Sequence, residues 1–506
     1  MISPLKKNII ANYFGQGWSA LMGLIFVPYY IHFLGMDAYG LIGLYTLMQA
    51  WLSLLDMGMT PTLSREMARF SAGAHNPQSI HNLLRTLEIV VFSFALLIGA
   101  GIWASSDFLA TDWLKSEKLP STIVSQAISI MAFVVALRFS EGIYRGSLMG
   151  LQKQIWYNSV NAFLATLRGA GVLIILKWVS PTIEAFFIWQ AIISLFSILI
   201  YSIGVHYFLP KPTSTPRFSR ESIADIWKFA GGMMGITFLA LLLTQVDKVL
   251  LSKLLPLDEY GYYTLAASVA AFSYMVIGPI TQAVYPRMVQ LVTLKDNNGL
   301  ISTYHSGAQL ITVLIAPVVL MLCFFSEGAI YAWSGNPVLA KKSGELLSIL
   351  IIGNFLNGLM YMPYQCQLAH GWTSLTLKVN IVAVTLLMPA ILIAVPKFGA
   401  LAAVWIWVII NSGYFLITIS LMHRKLLITE KWRWYFFDVL LPTSGALLVA
   451  FISYFFKPAL SDSRLNWLFF LSITGFFALI STIALSSIIR GHILKFIKRL
   501  KEYLNF

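Results

Sequence analysis

Apolar runs of about twenty residues or more alternate with short polar breaks along almost the whole chain. A hydrocarbon core about 30 Å thick is crossed by about 20 helical residues, whereas a barrel strand needs roughly half that, so run length selects helices. Runs between breaks predict about fourteen spans, at residues 8–34, 38–62, 86–106, 121–144, 156–177, 183–208, 229–252, 260–285, 304–325, 345–366, 374–395, 399–421, 435–456 and 466–489. The first run follows Lys6 and Lys7 in the manner of a signal peptide. It continues to about Leu34 without a small-residue cleavage site, however, and reads as a retained span.

A repeat is superimposed on this pattern. The string Leu-x-x-Asp-x-Tyr-Gly occurs at Leu34, Asp37, Tyr39 and Gly40 and again, 221 residues on, at Leu255, Asp258, Tyr260 and Gly261. The same offset relates Lys7 to Lys228 and Gly150 to Gly371. Six spans per half is an even number, so both copies enter the membrane in the same direction as parallel repeats. The expected fold is an all-α polytopic membrane protein: residues 1–209 form an N-terminal six-helix bundle, 210–222 a cytoplasmic linker and 223–422 a C-terminal six-helix bundle. Residues 423–506 supply two additional helices and a basic tail. The linker, with its Lys-Pro-Thr-Ser-Thr-Pro-Arg stretch, reads as extended and mobile. From Arg490 to Lys501 basic and apolar residues alternate, as suits a helix lying on anionic lipid.

Composition agrees with a chain that mostly avoids water: 58% of the 506 residues are hydrophobic, 11% are charged, and the mean hydropathy is +0.76. The net charge of +14 is spread through short breaks rather than gathered on a soluble domain, which argues against nucleic acid. Assigned to alternate sides, 23 of the 35 Lys and Arg fall on one side and 9 on the other, and the excess places both termini in the cytoplasm. Both copies of the repeated string then fall at the outer turn between the first two spans of each half, as hairpin corners. Cys323 and Cys366 both lie in apolar runs, so neither a disulfide framework nor a thiolate metal site follows. Walker, His-Glu-x-x-His and Gly-rich phosphate motifs are absent, and no metal, cofactor or catalytic residue is expected.

Ionisable side chains at bilayer depth cost about 2.5–3.5 kcal/mol on insertion scales, so each calls for a partner or a wet cavity. Arg168 lies midway along the fifth span with Asn161 seven residues earlier on the same face. The alternatives are a cavity-facing phosphate ligand or a cross-link between helices. Arg138, Glu141 and Arg145 share a face of the fourth span; Arg138 and Glu141 suit either a structural pair or a gate. Asp247 and Lys248 interrupt the seventh span and, being adjacent, point about 100° apart. Arg168, Arg138, Lys248 and Asn161 are therefore candidates for a substrate cavity, and Asp247, Glu141, Asp56 and Glu88 for ion coupling. Asp56 and Glu88 lie near an interface, where a helix-end charge and a partner for Arg85 are the competing explanations. Pro279, Pro317, Pro363 and Pro389 are candidate bends.

Several stretches together resemble a known family: Phe33 to Gly40, Leu54 to Gly58 followed by Arg65, Tyr144 to Gln154 with Asn158, Gln245 to Lys248, Asp258 to Tyr263, and Pro363 to Gly371. As an ordered set they resemble the polysaccharide flippases of O-antigen (Wzx) type in the multidrug/oligosaccharidyl-lipid/polysaccharide exporter superfamily. The resemblance implies a bacterial inner-membrane protein with two six-helix bundles around a central cavity. Its substrate would be an undecaprenyl-pyrophosphate-linked oligosaccharide, flipped by alternating access with a proton or sodium ion as coupling ion and cationic residues lining the cavity. Implied partners are the lipid-linked oligosaccharide, membrane lipids, and the polymerase and chain-length regulator of the same pathway. A multidrug exporter or a peptidoglycan-precursor flippase of the same superfamily is the alternative. A membrane glycan polymerase is disfavoured, because the outer breaks near Ser106–Ser121 and Ser326–Gly344 are short and lack a carboxylate pair.

Overall fold

The computed structural model describes residues 4–56, 59–71, 76–116, 119–219, 242, 244–372, 374–460, 462–491 and 493–494. Lys228, residues 229–241 of the seventh expected span and the basic tail beyond Leu494 lie outside the described residues. Two compact units result, Met1–Gly261 and Tyr262–Phe506. Among the described residues the secondary structure is helical apart from one isolated bridge, Lys115 with Pro256, and 12 helices are long and apolar enough to cross a membrane.

The first unit contains α1 (Pro4–Ile25), α2 (Val27–Leu34), α3 (Met36–Leu55), α4 (Met59–Ser71), α5 (Pro77–Ala104) and α6 (Ser106–Phe108), which runs into a π-helical turn (Leu109–Trp113). It continues with α7 (Ser121–Gly150), α8 (Gln154–Trp178), α9 (Ile183–Phe208) and α10 (244–254). Many outward side chains are large and apolar, among them Leu96, Leu97, Phe163 and Ile203, a surface suited to lipid.

The repeated string has a reciprocal structural role. An ideal Cβ on Gly40 would lie 2.4 Å from the Leu257 carbonyl oxygen, and one on Gly261 would lie 2.8 Å from the Met36 carbonyl oxygen. Leu257 precedes Gly261 by one helical turn, as Met36 precedes Gly40. The two copies thus pack on each other with matched glycines at the crossing, where any side chain would force the backbones apart. Tyr39 and Tyr260 are buried beside it. The outer loop completes this corner: Lys115 O accepts from Leu257 N at 2.8 Å, and the Trp113 indole donates to Ser252 Oγ at 3.1 Å.

The segment after α9 is extended, as its prolines predict, but it is pinned rather than free. Gln78, Asn82 and Thr86 stand one helical turn apart on α5; Gln78 Oε1 accepts from Ser214 N at 2.8 Å, Asn82 Oδ1 from Arg217 N at 2.9 Å and Thr86 Oγ1 from Ser219 N at 2.9 Å. Proline-rich composition reported the extended backbone. It could not report a helix face carrying acceptors at the right spacing.

The second unit holds most of α11 (Leu257–Met275), then α12 (Ile277–Thr293), α13 (Asn297–Ser334), α14 (Pro337–Leu359), α15 (Tyr361–Ala369), α16 (Ser374–Phe398) and α17 (Ala400–Gly413). A π-turn, α18 (Ile419–His423), a 3-10 turn (Ile428–Glu430), α19 (Lys431–Arg433), a second π-turn (Trp434–Leu440), α20 (Leu441–Tyr454) and α21 (Arg464–Leu485) follow. Pro279 and Pro363 lie in the first turns of α12 and α15, where helices restart after a break, while Pro317 and Pro389 lie inside α13 and α16. The expected outer break at 326–344 is almost wholly helical. The α13 helix kinks at Phe325 and runs on to Gly335, whose left-handed φ of 70° ends it; Asn336 then caps α14 by accepting from Val338 and Leu339. At about 1.5 Å per residue the 38 residues of α13 are nearly twice the length that crosses the hydrocarbon.

Although α20 and α21 lie beyond the expected C-terminal six-helix bundle, they belong to this unit's core. Trp467 packs with Met321, Phe325, Ala332 and Ala450, and Arg464 donates to the last carbonyls of α13, Ala332 O at 3.1 Å and Trp333 O at 2.7 Å.

Candidate functional site

The three-residue spacing of Arg138 and Glu141 on α7 puts both on one helix face, and their side chains meet at 3.5 Å. Arg168 arrives from α8, and its Nη2 lies 3.4 Å from the same Glu141 oxygen. On α9 the Ser197 hydroxyl donates to the Ile193 carbonyl at 2.8 Å, which leaves its lone pair to accept from Arg168 Nη2 at 2.7 Å. Two guanidinium groups therefore share one carboxylate, and the cluster carries a surplus positive charge. Its members are poorly solvated: the side chains of Arg168 and Glu141 are 11% and 9% exposed, and that of Arg138 is 24% exposed. The Nε of each arginine is buried without a hydrogen-bond partner among the described residues. Each is a donor left available in a setting where unpaired donors are costly.

Asn161 extends the same face of α8. Its amide nitrogen donates to Ser19 Oγ on α1 at 2.9 Å, and its oxygen accepts from the Tyr201 hydroxyl at 3.4 Å. Ser197 and Tyr201, one turn apart on α9, thus hold Arg168 and Asn161, which stand seven residues apart on α8. Tyr45 faces Arg138 from α3.

The other candidates have different surroundings. Lys248 spends its ammonium within its own helix, donating to Thr244 O at 3.0 Å and Gln245 Oε1 at 3.2 Å, and Asp247 is half-buried beside it. Asp56 stands between α3 and α4 and accepts from the Thr60 backbone N–H at 3.2 Å and hydroxyl at 2.7 Å, as a capping side chain does. Glu88 is buried, with Arg85 at 3.2 Å and the Tyr144 hydroxyl donating at 2.9 Å. It borders a pocket of about 220 Å³ that His81, Arg85, His206 and Pro216 also line.

A second buried ionic cluster, unanticipated from the sequence, lies in the second unit. His305 on α13 is fully buried; Asp438 contacts its Nδ1, and Glu430 Oε2 lies 2.9 Å from its Nε2. Gln309, one turn along, donates to Asp438 Oδ1 at 2.9 Å and accepts from Ser486 Oγ at 2.6 Å and Ile488 N at 3.1 Å. The signal was present: Asp438 is the acid inside the apolar run 435–456, and His305 opens the run 304–325. Spacing could not join two residues 133 positions apart. Among the described residues no group of three or more His, Cys, Asp or Glu is arranged to hold a metal ion.

Residues 5–292, more than half of the chain, match the family model described as "Polysaccharide biosynthesis protein". A Shigella flexneri protein named as a candidate O-antigen transporter is 22% identical over 405 residues, covering 79% of this chain and 93% of its own. The succinoglycan biosynthesis transport protein ExoT of Rhizobium meliloti is 22% identical over 291 residues, 55% of this chain and 56% of its own. Among solved structures, the lipid II flippase MurJ in an inward closed conformation superposes with a TM-score of 0.65 at 15% identity, covering 94% of this chain and 98% of that one. An inward-facing multidrug resistance MATE family transporter gives 0.61 at 13% identity, with 82% and 96% covered. The fold is that of this group of transporters, and the matched relatives are transporters rather than enzymes.

Proposed function

Given that the chain belongs to the polysaccharide biosynthesis protein family, we propose that it is a flippase of the bacterial inner membrane with both termini cytoplasmic. It translocates an undecaprenyl-pyrophosphate-linked oligosaccharide by alternating access, coupled to an ion gradient. The observation that carries this reading is the sharing of one carboxylate, Glu141, by two arginines, the buried Arg168 and the half-buried Arg138. A glycan head group with a pyrophosphate cannot cross hydrocarbon unaided, while its polyprenyl tail is at home there. The protein's task is then to shelter an anion. Planar guanidinium groups with spare N–H donors suit phosphate oxygens, and the surplus positive charge becomes neutral only when an anion arrives. Glu141 keeps each arginine partly compensated in the empty state, which limits the cost of burial and keeps the anion weakly enough bound to leave.

Deleting the gene in a host with its own glycan cluster tests the reading. Surface polysaccharide should vanish and lipid-linked repeat units should accumulate in the cytoplasmic leaflet; unaltered surface polysaccharide overturns it. Lysis with normal surface glycan would point instead to a peptidoglycan precursor, an anionic lipid-linked substrate of the same chemistry. Arg168→Ala should reduce export at unchanged protein level, and full activity in Arg168→Lys would exclude two-pronged phosphate recognition.

A further inference from the structure

The second unit contains a buried histidine with a carboxylate at each ring nitrogen. A neutral imidazole has one N–H and one lone pair, so it can donate to only one ionised carboxylate. Satisfying both Asp438 at Nδ1 and Glu430 at Nε2 takes one more proton, on the ring or on a carboxyl group. Gln309 shows which part of Asp438 stays an acceptor. Its oxygen is occupied by Ser486 and Ile488, so its amide nitrogen must be the group that meets Asp438 Oδ1. The extra proton therefore lies on the His305 side of Asp438 or toward Glu430.

We propose that His305, Asp438 and Glu430 form the binding site for the coupling ion, and that this ion is a proton. The identification as a coupling site rests on the transport reading above; the site itself does not. A metal cation such as sodium would need several oxygen ligands in the place the imidazole ring already fills. Charge balance explains why the proton is held. Arg433 lies 3.3 Å from Glu430, so a protonated His305 with Arg433 offsets the two carboxylates, whereas loss of the proton leaves a net negative charge away from water. The site has an entrance: Asp438 and His305 are 1% and 0% exposed, Glu430 is 14% exposed, and Arg433 beyond it is 53% exposed. Protons reach the interior from the Glu430 side, and chains of acidic and histidine side chains serve this purpose in membrane proteins.

The surrounding groups are accounted for. From α13 comes Tyr304, whose hydroxyl lies 3.3 Å from Nε2 of His423 on α18. Among the described residues, Lys431 on α19, Tyr435 in the following π-turn and Cys366 on α15 are further titratable groups around Tyr304 and His423. The triad joins α13 to the segment before α20, and Gln309 joins α13 to the chain after α21. The protonated site therefore clamps three segments together, and its deprotonation puts an uncompensated charge at their junction.

The test is an infrared pH titration of the purified full-length protein in lipid nanodiscs. As pH is varied, the spectra should show a reversible carboxyl or imidazole protonation band beyond those of the solvent-exposed groups. Asp438→Asn and His305→Gln, both close in shape, should abolish it, and Glu430→Gln, at the exposed end, should shift its midpoint. No titrating band in the wild type, or one that survives all three substitutions, overturns the proton site. Export in cells separates the two readings: Asp438→Asn should lose gradient-driven export of surface glycan at normal protein level, and export that stays sensitive to an uncoupler in that variant overturns the coupling role. A titrating band in a protein whose gene deletion leaves all surface glycan intact would instead overturn the transport reading and leave the proton site standing.

Discussion

Replacing Glu141 by Gln removes the carboxylate shared by Arg138 and Arg168 while keeping the size and a carbonyl acceptor. The buried Arg168 is left with Ser197 and a neutral amide, and the two guanidinium groups face each other without an anion between them. Breaking a buried ion pair from one side costs about 3–5 kcal/mol. The retained carbonyl and the partly exposed Arg138 favour the lower end, so about 3 kcal/mol is expected. In a thermal melt of a chain of 506 residues this is a fall on the order of 3 °C. The melt is to be run in detergent micelles or nanodiscs at a fixed scan rate, because unfolding of such proteins is a rate as much as an equilibrium. Glu141→Gln with Arg168→Met returns the cluster to the wild-type net charge and should recover much of the loss. Inorganic pyrophosphate should raise the melting temperature of Glu141→Gln more than that of the wild type, since the variant offers two uncompensated cations to an anion. An unchanged melting temperature in Glu141→Gln refutes the reasoning, because it would mean that Arg168 does not depend on this carboxylate.

Other outcomes follow from packing and hydrogen bonding. Gly40→Val should destabilise by about 1–3 kcal/mol or more through its overlap with the Leu257 carbonyl, read as a lower melting temperature; Gly17→Ala, with open space around it, should be neutral or slightly stabilising. Trp467→Ala empties the contact between α21 and α13 and should cost about 3–5 kcal/mol, with faster proteolytic cleavage between α18 and α20. Asn82→Ala removes the acceptor for the Arg217 N–H and should weaken the strap by about 1 kcal/mol, seen as faster amide hydrogen exchange over residues 213–219 without a change in the core of α5.

Particular residues show how far the sequence could be read. The acidic and basic side chains at 138, 141 and 168 stood out because charge is rare in apolar runs, and all three do come together. Pairing Arg138 with Glu141 needed only helical spacing, but Arg168 joins from another helix and Ser197 from a third, neither reachable by counting along the chain. The repeated glycines were placed at corners from the charge pattern, yet their reciprocal packing is a contact between residues 221 positions apart. At 335–337, Gly-Asn-Pro is a helix stop followed by a helix start, a local signal overridden in the expectation by the lower hydropathy of the flanking turns.

The chain alone determined that it folds as membrane-crossing helices, because a helix satisfies its own backbone within one segment and hydropathy records, residue by residue, which solvent that segment meets. Only the tertiary structure decided which buried charges answer each other. Arg168 with Glu141 and His305 with Asp438 are separated by 27 and 133 residues, and a charge's energy is set by what lies within a few ångströms in space rather than by its place along the chain.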